Sequence, residues 1–206
     1  MKGLLLKEWY GVWNHCKITL FLAAACLIAF FTQENTEYFV FYPCLLVSMI
    51  PTTLCALDER SNWENYAISL PVSKKDLITA KYLLSAILNL VTILIVGVGY
   101  LMANINLPEF SWSGYAGLIA YVLGISFAGP AATLPFVFKY GVEKGRNISL
   151  FSMMIVYLPG LILLQEDIKP FISNQYLVFT LIGLGAILLY IGAWKWSVKI
   201  YERKDF

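Results

Sequence analysis

The chain has 206 residues, of which 59% are hydrophobic and 14% are charged, and it carries a formal net charge of +2. With a mean hydropathy of +0.70, it is too apolar for an ordinary soluble domain. The small net charge excludes few classes of protein, and the positions of the charges carry more information than their sum.

Long apolar runs alternate with short connectors along the chain. A helix that crosses the hydrocarbon layer needs about 20 residues, with roughly 17–25 being usual. Five runs reach this length, and the first is short and needs a turn from its flanks. The predicted spans are residues 18–32, 38–57, 82–103, 114–138, 148–164 and 176–194. These six spans predict an all-α, polytopic membrane protein with a single membrane domain over residues 1–206, and they leave no room for a soluble catalytic domain.

The basic residues lie on one set of alternating connectors. Of the fifteen Lys and Arg residues, only Lys169 falls in the opposite set, which instead holds acidic residues. The others are Lys2, Lys7, Lys17, Arg60, Lys74, Lys75, Lys81, Lys139, Lys144, Arg146, Lys195, Lys199, Arg203 and Lys204. Because Lys and Arg in short loops are retained on the cytoplasmic side, both termini are predicted to be cytoplasmic.

Residues 1–17 have the spacing of an amphipathic helix. The apolar side, at three- and four-residue intervals, holds Leu5, Leu6, Trp9, Val12 and Trp13. The polar side holds Lys7, Glu8, Gly11, Asn14 and His15. Since Trp rings suit the headgroup region, we predict a helix that lies in the cytoplasmic interface. The alternative is that these residues only lengthen the first span.

The connector of residues 58–81 is the longest and the most charged. It contains an apolar stripe at i, i+3, i+4 and i+7, which predicts a short helix. The stripe consists of Trp63, Tyr66, Ala67 and Leu70. Asp58 and Glu59 are expected at the start of this helix, Pro71 is expected to end it, and Ser73 is expected to cap the next one.

A short helix with exposed aromatic rings between two membrane helices is suited to docking on a partner, because a buried aromatic anchor supplies much of the binding energy of a small surface. The alternative is that Trp63 and Tyr66 only dip into the lipid headgroups.

No Asp, Glu, Lys, Arg or His lies inside the six predicted spans. This absence argues against proton- or ion-coupled transport and against an intramembrane enzyme that uses carboxylates or histidine. The segment of residues 141–146 lacks the spacing of a phosphate-binding loop, and the four cysteines show no metal-site or redox spacing. The chain is therefore expected to take its energy from a partner, or to act passively.

Uncharged polar residues mark one face of the third span. They are Ser85, Asn89 and Thr92. Because an amide in hydrocarbon needs a hydrogen-bond partner, these residues either join helices or line a translocation path.

Two prolines in the fourth span, Pro130 and Pro135, are expected to kink or break its helix, which makes them candidate hinge residues. Gly124 and Ala128, four residues apart, allow close approach of another helix, within this chain or in a second copy.

The whole chain resembles a half-size permease subunit of the type-2 ABC (ATP-binding cassette) exporter family, the kind encoded separately from its ATPase. The general features are the amphipathic N-terminal helix and six spans with both ends inside. The more specific features follow the second span and are Asp58-Glu59, Trp63, the run Tyr66-Ala67-Ile68-Ser69-Leu70-Pro71-Val72-Ser73-Lys74, and Lys81-Tyr82. Larger relatives carry a longer extracellular segment before the last span than residues 165–175 provide here.

The resemblance implies a cytoplasmic coupling helix within residues 58–76, and a connecting role for the N-terminal helix. The implied contacts with the ATPase subunit are Asp58, Glu59, Arg60, Trp63 and Tyr66. ATP and Mg²⁺ are expected on the partner ATPase, with no cofactor on this chain. A second permease chain, identical or similar, is expected to complete the pathway.

These observations predict the membrane-spanning, non-enzymatic subunit of an ATP-driven exporter in a bacterial-type plasma membrane, with no nucleic-acid partner. An uncharged pathway rich in Phe, Leu and Tyr suits an amphipathic or hydrophobic substrate, such as a peptide or an antimicrobial. The alternatives are a non-transporting membrane scaffold or sensor subunit, and a small passive channel.

Overall fold

Eight helices account for most of the chain in a computed structural model, which describes residues 2–32, 37–105, 111–163 and 175–203. They are α1 (Lys2–His15), α2 (Lys17–Thr32), α3 (Glu37–Ser48), α4 (Ile50–Arg60), α5 (Trp63–Ile68), α6 (Lys74–Asn104), α7 (Trp112–Leu163) and α8 (Gln175–Glu202). No strand occurs among the described residues, so the prediction of an all-α fold is confirmed for them.

Three described segments are long and apolar enough to cross a membrane. They are Lys74–Met102 in α6, Trp112–Glu143 in α7 and Phe179–Glu202 in α8. Helices α1 and α2 meet the same criteria only as a pair that is bent by 73°. The structure thus supports three or four of the spans, and the count of six stays a prediction.

The second predicted span is divided into two helices, α3 and α4, on either side of Met49. Pro51 lies in the first turn of α4. In a continuous helix its ring would clash with the carbonyl of Val47 and its nitrogen would have no hydrogen to donate, whereas proline is well tolerated in a first turn. Residues 38–57 therefore form two helices and not one continuous helix, and the crossing of the membrane by this segment stays a prediction.

Helix α7 consists of two helical segments that meet at a kink within the connector predicted between the fourth and fifth spans. Within α7 the backbone leaves helical values at Gly141 (φ 78°, ψ 171°), a conformation that favours glycine. The helix is not broken at Pro130 or Pro135, and the departure from helical geometry lies at Gly141. A kink or hinge at the prolines stays a prediction. The connector at residues 165–175 lies outside the described residues, apart from Gln175.

Helix α1 packs against the protein on a different face from the one that its apolar pattern suggests. Leu4, Glu8 and Val12 are buried, at four-residue spacing, while Trp9 and Trp13 are 48% and 60% exposed. The prediction that Glu8 lies on an exposed polar side is therefore wrong. The 73° bend before α2 also disfavours the alternative that α1 only lengthens the first span.

Helices α7 and α8 approach each other closely where both carry glycine. A Cβ added to Gly183 would lie 2.7 Å from the backbone oxygen of Ala120, and one added to Gly124 would lie 2.8 Å from a methyl group of Ile182. Of the two uses predicted for Gly124, the structure shows close packing within the chain.

Helices α6 and α7 are joined by a side-chain amide. The Asn89 Nδ2 group donates a hydrogen bond to the backbone oxygen of Ser126 at 2.8 Å, and Asn89 is buried. Four residues after Ser126 stands Pro130, which has no N–H to offer that carbonyl. Asn89 therefore satisfies a carbonyl that the proline leaves without its helical partner.

This contact shows Asn89 in the first of its two predicted roles, the joining of helices. Thr92 bonds within its own helix, to the carbonyl of Leu88 at 3.0 Å, and Ser85 is buried. A role of the three residues in a translocation path stays a prediction.

Replacing Asn89 with Leu is expected to lower the free energy of unfolding by about 1 kcal/mol, the usual scale for a hydrogen bond between membrane helices. In a Pro130→Ala background the same change should cost almost nothing, because residue 130 then supplies an N–H to Ser126. Unfolding of the four variants in mixed micelles measures both costs. Equal costs in the two backgrounds would contradict this account of the bond.

Candidate functional site

Residues 58–81 contain one short helix between the ends of two longer ones. Asp58 and Glu59 were predicted at the start of the short helix. Instead, α4 continues through both residues, and they lie at its C-terminal end. Asn62 then takes a left-handed conformation (φ 52°), and the chain turns into α5. Helix α5 confirms the predicted short helix, although it ends earlier, at Ile68.

Helix α6 begins at its predicted cap. The Ser73 hydroxyl accepts a hydrogen bond from the backbone N–H of Asp76 at 3.1 Å, which satisfies one of the donors that a helix N-terminus leaves free. Pro71 lies just before this cap, where it keeps α5 from continuing into α6. The segment that carries α5 is thus held between two defined helix ends.

Four charged side chains from three helices meet beside this segment, and we call them the ion cluster: Lys7 and Glu8 of α1, Asp58 of α4 and Lys81 of α6. The Glu8 Oε1 atom lies 3.0 Å from Lys7 Nζ and 3.1 Å from Lys81 Nζ. The two Asp58 oxygens pair with the same two ammonium groups, one each. Three of the side chains are buried, and that of Lys7 is 29% exposed.

The ion cluster is electrically neutral, which is what allows it to be buried. Removing a charge from water costs several kcal/mol unless close partners compensate. Asp58 lies near the C-terminal end of α4, where the helix dipole disfavours a carboxylate. The ammonium groups of Lys7 and Lys81 compensate for this unfavourable interaction, and their contacts with Asp58 connect α1, α4 and α6.

Glu59 links α4 to the break in α7. Its Oε2 atom accepts a hydrogen bond from the backbone N–H of Val142 at 2.7 Å. A Cβ added to Gly141 would lie 3.4 Å from Glu59 Oε1. The left-handed glycine therefore lets the backbone of α7 approach this carboxylate, and neighbouring acids of α4 contact α1 and α6 on one side and α7 on the other.

The five predicted contact residues differ in their accessibility. Asp58 is only 7% exposed and lies in the ion cluster, whereas Glu59 and Arg60 are exposed and Tyr66 is 58% exposed. Trp63 is half-buried, with its ring 5.4 Å from that of Tyr66 and 4.6 Å from Lys7 Nζ. The structure thus leaves four of the five at least partly exposed and turns Asp58 inward.

Three members of the ion cluster were not among the predicted site residues. The sequence pattern placed Lys7 and Glu8 on the polar side of a helix, and Lys81 among the topological charges and in the stretch that resembles the exporter family. A local signal existed for Glu8, which stands four residues after Leu4 and four before Val12, on one face of α1. For the lysines, the pairing depends on contacts between distant parts of the chain.

A cavity of about 200 Å³ opens between the ion cluster and α7. Its polar lining comes from Glu8, Asp58, Glu59 and Lys81, and its other walls are largely apolar or aromatic. These walls are Leu4, Cys55, Trp63, Leu77, Ile78, Val137, Phe138, Gly141, Val142 and Tyr201. Within the described part of the chain, no group of three or more His, Cys, Asp or Glu side chains is arranged to hold a metal ion.

The chain matches a known family along almost its whole length. Residues 3–202 fit the sequence pattern of a family described as ABC-2 family transporter protein. No curated protein and no solved structure matches the chain significantly. The matched region includes the ion cluster, α5 and all three segments that are suited to crossing a membrane. The chain therefore belongs to the ABC-2 transporter family and is a membrane permease of the type-2 ABC class.

Proposed function

We propose that this permease is the membrane-spanning subunit of an ATP-driven exporter, and that α5 with its flanking residues docks on a separate ATPase subunit. One observation carries the proposal: α5 presents Tyr66 and part of Trp63 at the surface, directly beside the ion cluster that ties this segment to α1 and α6. A force applied to α5 therefore acts on helices and not on a loose loop.

The coupling follows from the two acids at the end of α4. Asp58 contacts Lys7 of α1 and Lys81 of α6, and Glu59 contacts the backbone of α7. When the ATPase binds ATP with Mg²⁺ and closes, displacement of α5 moves these helices as rigid bodies. Alternating access then results from the different contacts that the ATPase makes in its two states.

The pathway is proposed to lie between two permease chains, identical or similar, in a bacterial-type plasma membrane. Each chain would cross six times with both termini in the cytoplasm, as the placement of its Lys and Arg residues favours. Since the predicted spans hold no charged residue, the substrate is proposed to be amphipathic or hydrophobic, such as a peptide or an antimicrobial. Pro130 and Pro135 are proposed to flex during transport.

Replacing Trp63 with Ala is expected to weaken binding to the ATPase by about tenfold or more, because truncation of an aromatic anchor commonly costs more than 1 kcal/mol. Binding would be measured in nanodiscs against the ABC ATPase subunits of the source organism, together with ATP hydrolysis by any complex that forms. The matched control is Trp112→Ala, which removes an aromatic ring that is 68% exposed at the opposite end of the predicted topology.

Equal losses for the two variants would contradict docking through α5. Failure of the unaltered chain to bind any ABC ATPase would favour the scaffold or sensor alternative, and conductance of the purified chain in liposomes without nucleotide would favour the passive channel.

A further inference from the structure

We infer that the cavity beside the ion cluster is a socket for one basic side chain, Lys or Arg, which the ATPase subunit inserts on docking. This inference rests on the proposed function and adds the chemistry of the partner surface to it.

The charge of the cavity favours a cation. Three carboxylates and one ammonium group face it: Glu8, Asp58, Glu59 and Lys81. Even when Lys7 is counted with its partners, one negative charge remains in excess, that of Glu59. An inserted ammonium or guanidinium group would neutralise this excess, and such complementarity across an interface contributes to partner choice.

Glu8, which lines the cavity, has one carboxylate oxygen without a donor. Both lysines of the ion cluster bond to Glu8 Oε1, while Glu8 Oε2 is buried and has no hydrogen-bond partner among the described residues. A buried acceptor that lacks a donor costs about 1–3 kcal/mol, and more when it is charged. A cationic N–H group is the partner that relieves this cost most effectively.

The size and walls of the cavity suit a long side chain better than a small molecule. Its volume of about 200 Å³ is below the roughly 300–1,000 Å³ that is typical of small-molecule pockets. Leu77, Ile78 and Val137 provide an apolar wall against which the methylene stem of Lys or Arg would pack. The Tyr201 side chain also lines the cavity, and an aromatic ring attracts a cation that lies over its face.

The entrance lies on the surface that α5 occupies. Trp63, Gly141 and Val142 line the cavity and are partly exposed, and Glu59 is exposed. A side chain entering from a partner that contacts α5 would meet Glu59 first and Glu8 deeper in the cavity. The docking surface and the socket would therefore be filled in one event.

The test is Glu59→Gln, in which an amide oxygen still accepts the hydrogen bond from Val142 while the charge is lost. We expect the Kd for the partner ABC ATPase to rise about tenfold or more, measured with the full chain in nanodiscs at low salt. The matched control is Glu143→Gln. It removes the same charge from an exposed side chain two residues after Gly141 that does not line the cavity, and it should leave the Kd unchanged within about twofold.

The outcomes separate the socket from the proposed function. If the unaltered chain does not bind the ATPase, both proposals fall. If it binds, and Glu59→Gln behaves like Glu143→Gln, the socket is overturned and docking through α5 stands.

The inserted residue would be identified by replacing each exposed Lys and Arg of the ATPase with Gln. The socket requires one residue whose loss is non-additive with Glu59→Gln. If every pair of losses is additive, the cavity holds water only, and the inference is wrong.

Discussion

The variant Lys81→Met is expected to lose about 3–5 kcal/mol of stability, the range observed when one partner of a buried ion pair is removed. Methionine fills much of the same space, so the loss comes from charge: Glu8 and Asp58 would share the single ammonium group of Lys7 in a site where both carboxylates are buried. For a chain of this size each kcal/mol corresponds to a melting temperature about 2–4 °C lower. Thermal unfolding in detergent micelles measures the shift.

A control and a rescue distinguish the charge effect from general damage to α6. Lys75→Met removes an exposed lysine of the same helix, whose ammonium group lies 5.9 Å from the centre of the Trp194 ring, and should cost less than about 1 kcal/mol. The double variant Asp58→Asn with Lys81→Met leaves Lys7 and Glu8 as a neutral pair. It should be more stable than Lys81→Met alone, and a double variant that is less stable would contradict the charge argument.

The second large effect is expected for Gly183→Leu, which should destabilise the packing of α7 against α8 by about 3 kcal/mol, the upper part of the usual range for overpacking. The obstacle is the backbone oxygen of Ala120, 2.7 Å from the new Cβ. A backbone atom cannot rotate away as a side chain can, so the two helices must separate. Resistance of the purified chain to unfolding in mixed micelles reports the loss.

Gly192→Leu is the matched control for this effect, because Gly192 lies in the same helix and a Cβ added there would have no described atom within 4 Å. Both substitutions replace glycine with leucine and so raise the helix propensity by the same amount, about 1 kcal/mol. Only Gly183→Leu also introduces the close contact. Similar stability of the two variants would show that the approach of α7 and α8 at Gly183 is not required for packing.

The sequence was sufficient to predict the elements whose signal is local. The apolar runs in α6, α7 and α8 and the three- and four-residue spacing of Trp63 and Tyr66 in α5 depend only on neighbouring residues. Proline rules alone did not locate the breaks. Pro51 fits the start of a helix, Pro130 is accommodated through Asn89, and the departure from helical geometry occurs at Gly141, where Glu59 approaches.

The candidate site was predictable only in part, because its chemistry joins distant residues. The pattern identified Trp63 and Tyr66 as surface aromatics, and the charges near them as a group. It gave no means of pairing Asp58 with Lys7, 51 positions away, or Glu8 with Lys81, 73 positions away. Periodicity describes which face of a helix is apolar, but the partner of a buried charge is set by how the helices assemble.

The ion cluster also affects the order in which parts of the chain can fold during synthesis. Lys7 and Glu8 leave the ribosome first, Asp58 follows, and Lys81 comes last. Until Lys81 is available, two carboxylates share one ammonium group, and docking of α1 would bury an uncompensated charge. We therefore expect α1 to reach its stable position only after the start of α6 has been made. The first helix of this permease would then be among the last parts to settle, because it depends on Lys81.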